Sequence, residues 1–378
     1  MATAAPLALP DRLSRLPWLA ILAVLGLGLF SLAVLYSAAG GSASPWMTNQ
    51  GIRFAALFAM MLVLSQFDIR IWLRLAYPFY GLCLVLLIAV ETVGQLGGGS
   101  QLWLNLGVIN LQPSELMKIA VILALARYYH TLPRVRIPAF SSLIFPGILI
   151  AFPAALVLLQ PDLGTALTII LGGVTVVFLA GARLWLFITA GVGAVVGIPL
   201  AVNFLLKDYQ RKRVTAFLDP EADPLGAGYH ISQSKIAIGS GGVEGKGFLS
   251  GTQSHLQYLP EQHTDFIFAT MAEEWGLFGG FFVIACYAII LGWGIWTALT
   301  AKAHFARLVA MGLTVTLFFY IFINLAMVMG FAPVVGIPLP LMSYGGSAML
   351  TALLLMGIMI SIHNQKDRAK LNTGPGAL

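Results

Sequence analysis

The chain has 378 residues, 59% of them hydrophobic and only 10% charged. Soluble surfaces usually carry about a quarter charged residues, so a soluble protein is excluded. The net charge of +6 at pH 7 would suggest nucleic acid in a soluble chain, but membrane proteins collect basic residues on one side of the bilayer, and no nucleic-acid partner is inferred.

In chain order, residues 1–16 read as a cytoplasmic segment. The polar stretch to Arg15 leads into a run of about 22 apolar residues, long enough to span the bilayer, so the expectation is an anchored first helix and no cleavable signal. Ten spans are predicted, near 17–39, 52–67, 71–93, 113–130, 138–159, 162–181, 184–206, 266–299, 305–330 and 340–362. With the N-terminus inside, Arg12, Arg15, Arg70, Arg74, Arg127, Arg134, Arg136, Arg183, Lys302, Arg307, Lys366, Arg368 and Lys370 all fall on the cytoplasmic side. The short outer loops then hold only Arg53. The expected fold is an all-α polytopic membrane protein: a ten-helix transmembrane domain over 17–362, a large extracytoplasmic loop at 207–265 between spans 7 and 8, and a cytoplasmic tail at 363–378. Cys83 and Cys286 lie in apolar runs and read as packing residues, neither a disulfide nor a metal site.

Polar residues inside apolar runs come next. Glu115 and Lys118, in Gln112-Pro-Ser-Glu-Leu-Met-Lys118, share a helix face three residues apart. Each would cost roughly 2.5–3.5 kcal/mol facing lipid at the bilayer centre, so both face the interior, as a self-neutralising pair or as a binding group. Asp162, in Gln160-Pro-Asp-Leu-Gly-Thr165, stands at a helix start as a cap or a cavity residue.

The loop after span 7 is roughly 58 residues, too long for a connector. Lys207-Asp-Tyr-Gln-Arg-Lys-Arg213 concentrates cations suited to phosphate, or to a collar at a helix end. Leu218 to Pro224 reads as turns. Tyr229 to Ile238 is expected as an amphipathic helix on the membrane surface, with Ile231, Ile236 and Ile238 toward lipid. Gly239-Ser-Gly-Gly-Val-Glu-Gly-Lys-Gly247 fails the phosphate-loop register, because Ser240 and Gly247 stand where a Gly and a hydroxyl residue are needed. It reads as a flexible loop over a membrane-level cleft. In Leu259-Pro-Glu-Gln-His-Thr-Asp265 an acidic, histidine-bearing loop runs into an apolar helix, which places Asp265 at the membrane boundary as a base, a metal ligand or an ion-pair partner. Glu274 follows two and a half turns later as a cavity-orienting or ion-paired residue. His255 and His263 lack ligand spacing, and zinc is not inferred. Finally Gly336-Ile-Pro-Leu-Pro-Leu-Met-Ser-Tyr-Gly-Gly-Ser347 reads as tight helix packing or as a backbone-lined wall for a lipid-linked ligand.

Taken together, Gln112-Pro-Ser-Glu115 with Lys118, Gln160-Pro-Asp-Leu-Gly164, Tyr209-Gln-x-x-Arg213, Asp223-Pro-Leu-Gly-Ala-Gly-Tyr229, Ile238-Gly-Ser-Gly-Gly242, Leu259-Pro-Glu-x-His-Thr-Asp265 and Pro340-Leu-Met-Ser-Tyr-Gly-Gly-Ser347 resemble the SEDS family of bacterial cell-wall proteins. The resemblance runs from the first span to the last, and Val334-Val-Gly-Ile-Pro-Leu-Pro340 is closer to the elongation branch, RodA, than to the division branch, FtsW. It implies a peptidoglycan glycosyltransferase of the inner membrane that polymerises lipid II, inverts the donor carbon and releases undecaprenyl diphosphate. It also implies work beside a class B penicillin-binding transpeptidase and other elongation-complex membrane proteins. Asp265 is then the essential carboxylate, as general base or as ligand of a divalent cation such as Mg2+ or Mn2+; no organic cofactor is implied. Arg211, Arg213 and Lys235 are the diphosphate candidates, and Glu115, Lys118, Asp162, Glu261, Glu274, Ser343 and Ser347 the further substrate-binding candidates. One position departs from the family pattern: Leu102 stands before Trp103 where a basic residue is common. Two other classes compete, a lipid II flippase using Glu115 and Lys118 along a path, and a scaffold that needs no Asp265. No internal repeat between the halves supports transport.

Overall fold

The structure, a computed structural model, describes residues 16–97, 100–105, 110–204, 211, 217, 227–256, 258–259 and 261–365. Its helices are α1 (Trp18–Ala38), α2 (Trp46–Leu64), α3 (Ile69–Val93), α4 (Pro113–Thr131), α5 (Ser141–Leu159), α6 (Leu163–Ala180), α7 (Leu184–Phe204), α8 (Ala227–Gly241), the short α9 (Thr252–His255), α10 (Ile267–Thr300), α11 (His304–Val328) and α12 (Gly346–Asn364). Eight of them, α1, α2, α3, α5, α6, α10, α11 and α12, are long and apolar enough to cross a membrane. This is an integral membrane protein. Two further segments expected as spans are helical: α4, which carries Glu115, Lys118 and Arg127, and α7.

Helix α4 is the hub, packing against α3, α5, α6, α11 and α12. Residues 113–126 are buried on nearly every side, so this helix never shows an apolar stripe to lipid. Burial inside protein is what permits its charges. By contrast α7 stands apart, with Leu184, Trp185, Ile188 and Val192 exposed and a ring contact from Phe187 to Phe178.

Four features correct the expected architecture. The fold is not purely helical: β1 (Gln95–Gly97), β2 (Ser100–Asn105) and β3 (Asn110–Leu111) form a small antiparallel sheet in the order β1-β2-β3, with Trp103 opposite Gln95. Helix α2 begins at Trp46, six residues before the expected start, whereas 336–345 is irregular with a turn at 340–342 and delays α12 to Gly346. Helix α8 does not turn all three isoleucines outward: Ile231 is buried where the helix packs on α10 and α11, whereas Ile236 is exposed. The hydroxyl of Ser234 donates to the carbonyl of Val328 at 2.7 Å, pinning α8 to the end of α11.

The fourth correction is the Gly-rich run, which is no flexible flap. Helix α10 is broken at Gly276 (φ 55°, ψ −147°). Residues 242–247 close the break: Lys246 N donates to Glu273 O (3.0 Å), Gly247 N to Glu274 O (3.1 Å), and Leu277 N to Gly242 O (3.0 Å). Groups that the helix can no longer pair internally are thereby satisfied, as an apolar surrounding demands. The backbones approach so closely that a Cβ at Gly245 would lie 2.1 Å from Glu274 O. Only glycine fits there.

Candidate active site

The segment bearing Asp265 is held by its backbone. Three consecutive carbonyls are engaged: His263 O accepts from Tyr344 N (2.8 Å), Thr264 O from Ser343 Oγ (2.7 Å), and Asp265 O from Asn324 Nδ2 (3.0 Å). Asn324 also donates to Ile337 O at 2.7 Å, so one buried amide joins α11 to both loops. The half-buried Asp265 directs its carboxylate at the turn of Gly336 (φ +72°), where a Cβ would stand 3.5 Å from Asp265 Oδ2. Fixing the backbone on both flanks while the residue keeps contact with solvent is the arrangement a reactive carboxylate requires.

Lys235 reaches the same corner from α8. Its stem lies directly over Gly330, where a Cβ would meet Lys235 Cε at 2.2 Å, and the residue is exposed. Both Gly330 and Gly336 belong to the connection after α11, so a cation and the Asp265 carboxylate border one loop. His230 stacks on Phe266 with ring centres 6.0 Å apart, which seats α8 beside that helix start. Arg211 is exposed and helical, while Arg213 lies outside the described residues.

A second constellation sits at the start of α4. Lys118 Nζ and Glu115 Oε1 are 2.7 Å apart, both residues buried, and the Tyr320 hydroxyl lies between them, bonded to each. Asp162 caps α6 by accepting from Thr165 N (2.9 Å) and takes a second bond from Gln112 Nε2 (3.0 Å). The Ser347 hydroxyl accepts from Gln112 N (3.0 Å) and donates to Asn110 O (2.8 Å). Tyr320 and Asn324 are one turn apart on α11, so the ion triad and the Asp265 clamp share one helix face.

The remaining candidates have structural partners in view. Ser343 and Ser347 spend their hydroxyls on backbone groups, which makes them positioning residues. Glu261, exposed, accepts from Thr264 Oγ1 at 2.9 Å inside its own turn. Glu274 is buried away from this corner, bonded by the Ser37 hydroxyl and 3.5 Å from His255 Nε2. Its neighbour Glu273 accepts from Lys246 Nζ (2.6 Å), Thr252 N (2.9 Å) and Gln253 N (3.0 Å), capping α9. Burial holds the His263 imidazole below its ordinary value, with Glu261 opposing, so the ring stacked on Trp46 is neutral at pH 7. Asn324, Tyr320 and Gln112 were not singled out from sequence; a polar side chain inside an apolar run is the signal that marks the first two.

A polar corner built at one end of an apolar helix bundle defines a class: integral membrane proteins that meet a substrate at the lipid–water border. Residues 14–368 match the FtsW/RodA/SpoVE family of cell cycle proteins, and the chain belongs to that family. It is 45% identical to the peptidoglycan glycosyltransferase MrdB of Escherichia coli K12 over 346 residues, which cover 92% of this chain and 93% of that one. Among solved structures it resembles a chain of a peptidoglycan synthase complex that coordinates polymerization and crosslinking (TM-score 0.79, 34% identity, 94% and 99% covered). It also resembles the rod shape determining protein RodA of Thermus thermophilus (TM-score 0.70, 28% identity, 94% and 98% covered). The expected elongation branch is thereby borne out.

Proposed function

We propose that this chain is a peptidoglycan glycosyltransferase that polymerises lipid II during cell elongation. The observation that carries the reading is the triple carbonyl clamp on residues 263–265, which sets Asp265 at the Gly336 turn of the same connection that Lys235 covers at Gly330. In this reading ten helices span the bacterial inner membrane, both termini face the cytoplasm, and Asp265 works on the outer side. Support for the orientation comes from the basic residues, which gather at the opposite loops.

Asp265 takes the proton of the acceptor sugar's 4-hydroxyl as that oxygen attacks the donor's anomeric carbon. The bond from this carbon to the diphosphate breaks, undecaprenyl diphosphate leaves, and the carbon inverts. Lys235 and Arg211 offset the negative charge that grows on the leaving group. In the alternative role, Asp265 would instead hold a divalent cation such as Mg2+, with the substrate's phosphate oxygens and retained water as the other ligands. Such an ion, when bound, supplies charge stabilisation of the diphosphate. The partner is a class B penicillin-binding transpeptidase, in line with the synthase complex that this chain resembles.

The test is strand synthesis from lipid II in liposomes holding the full chain and its transpeptidase. Wild type is expected to make strands and Asp265→Asn, equally stable, to make none. Equal synthesis by both overturns the assignment of Asp265. If neither makes strands while labelled lipid II crosses the bilayer, the flippase reading replaces the enzyme.

A further inference from the structure

Helix α2 turns a polar stripe toward the Asp265 loop. Trp46, Gln50 and Arg53 fall at i, i+4 and i+7, on one face of the helix. Each touches that corner. The Trp46 ring stacks on His263 at 4.3 Å and 5°, Gln50 Nε2 donates to Ser343 O at 2.9 Å, and the Arg53 guanidinium lies over the Tyr344 ring at 5.3 Å. Tyr344 N is in turn the donor to His263 O, so Arg53 is two contacts from the segment that carries Asp265. Arg53 also runs along Gly346, with its Cδ 3.7 Å from where a Cβ would stand.

Among the described residues this arrangement gives Arg53 no acidic partner. Arg53 lies about 10 Å along α2 from Trp46, at 1.5 Å per residue, and its neighbours are Ile52 and Phe54. A guanidinium among such residues is costly at membrane depth unless an anion compensates it. Among the described residues no carboxylate lies within ion-pair distance of Arg53, in contrast to Lys118 and Lys246. The π face of Tyr344 covers one side of the guanidinium and leaves its N–H edge for an anion. The residue is only partly buried.

We propose that Arg53 is a substrate-binding residue that takes a phosphate of the lipid-linked substrate's diphosphate, and that the Trp46–Gln50–Arg53 stripe registers this phosphate against Asp265. The inference rests on the function proposed above. A diphosphate fits because it is the one anion tethered to the lipid–sugar junction, at the depth of a guanidinium set inside an apolar helix. A planar fork suits phosphate oxygens two at a time, a geometry that lysine lacks.

The experiment is a lipid II titration with the full chain and its transpeptidase in liposomes, comparing wild type, Arg53→Lys and Arg53→Gln, with thermal stability recorded for each. The expected result is a rise of about tenfold in half-saturating lipid II for Arg53→Gln with a smaller change in maximal rate, and a partial recovery in Arg53→Lys. Unchanged half-saturation in a folded Arg53→Gln, or in Arg53→Lys if the glutamine variant does not fold, overturns the proposal. Repeating the titration at two contents of phosphatidylglycerol separates the sources of phosphate. If Arg53→Gln alters only the dependence on phosphatidylglycerol, the residue holds bulk lipid and the proposal fails. A wild type that neither binds nor polymerises lipid II fails the underlying function instead, and this inference with it.

Discussion

Asp265 and Glu273 lie eight residues apart on one stretch of chain, and they are held in opposite ways. At Asp265 the backbone carbonyls are tied and the residue stays half-buried at the edge of a turn. At Glu273 the carboxylate itself is tied, fully buried under Lys246 and the first amides of α9. A buried carboxylate saturated with donors serves the fold, whereas one set half-buried at the edge of a turn on a fixed backbone can serve a reaction. Location on the same acidic segment does not separate the two; burial does.

The comparison is broken most directly by Asp265→Asn, which should lower polymerisation by about a thousandfold or more, within the range that general acid–base groups contribute, and leave the melting temperature unchanged. Glu273→Ala should do the reverse. It strands a partly buried lysine and several amides, so unfolding should become easier by about 3 kcal/mol in a denaturation series, with the folded fraction still turning over substrate. Asn324→Ala sharpens the contrast by loosening the scaffold and sparing the carboxylate: maximal rate should fall about ten- to hundredfold at nearly constant half-saturation, the mark of a misaimed group. The smallest effect concerns His263. Its folded-state pKa lies below the unfolded value because burial disfavours the charge, so the stability it confers is present above the unfolded pKa of about 6.5 and is lost as pH falls through the folded one. Melting temperature should therefore drop between pH 7.5 and 5.5, and drop less in His263→Gln.

Much of this was legible in the residues. The Glu115–Lys118 spacing predicted a pair and the structure closes it at 2.7 Å; the cap expected of Asp162 is present on Thr165 N. Those interactions are local, and local spacing determines them. What could not be read is made by chain segments distant in sequence or by backbone alone. The break at Gly276 looks like an uninterrupted apolar helix because its hydrogen bonds come from residues 242–247, and amides leave no trace in composition. Ile231 alternates with polar neighbours as a lipid-facing residue would, and only the packing of α8 on α10 and α11 turns it inward. The early start of α2 was hidden by Gln50 and Arg53, polar residues that read as loop until the corner they face is known.

The seam at Gly276 also has a mechanical meaning. From the start of α10 at Ile267, two residues after Asp265, about 9 Å of helix at 1.5 Å per residue runs to Glu273, a stiff rod on the scale of the site. Its far end is stitched to residues 242–247 and gripped by α9, so the loop above the seam and the Asp265 end of the helix are tied to one short rigid segment.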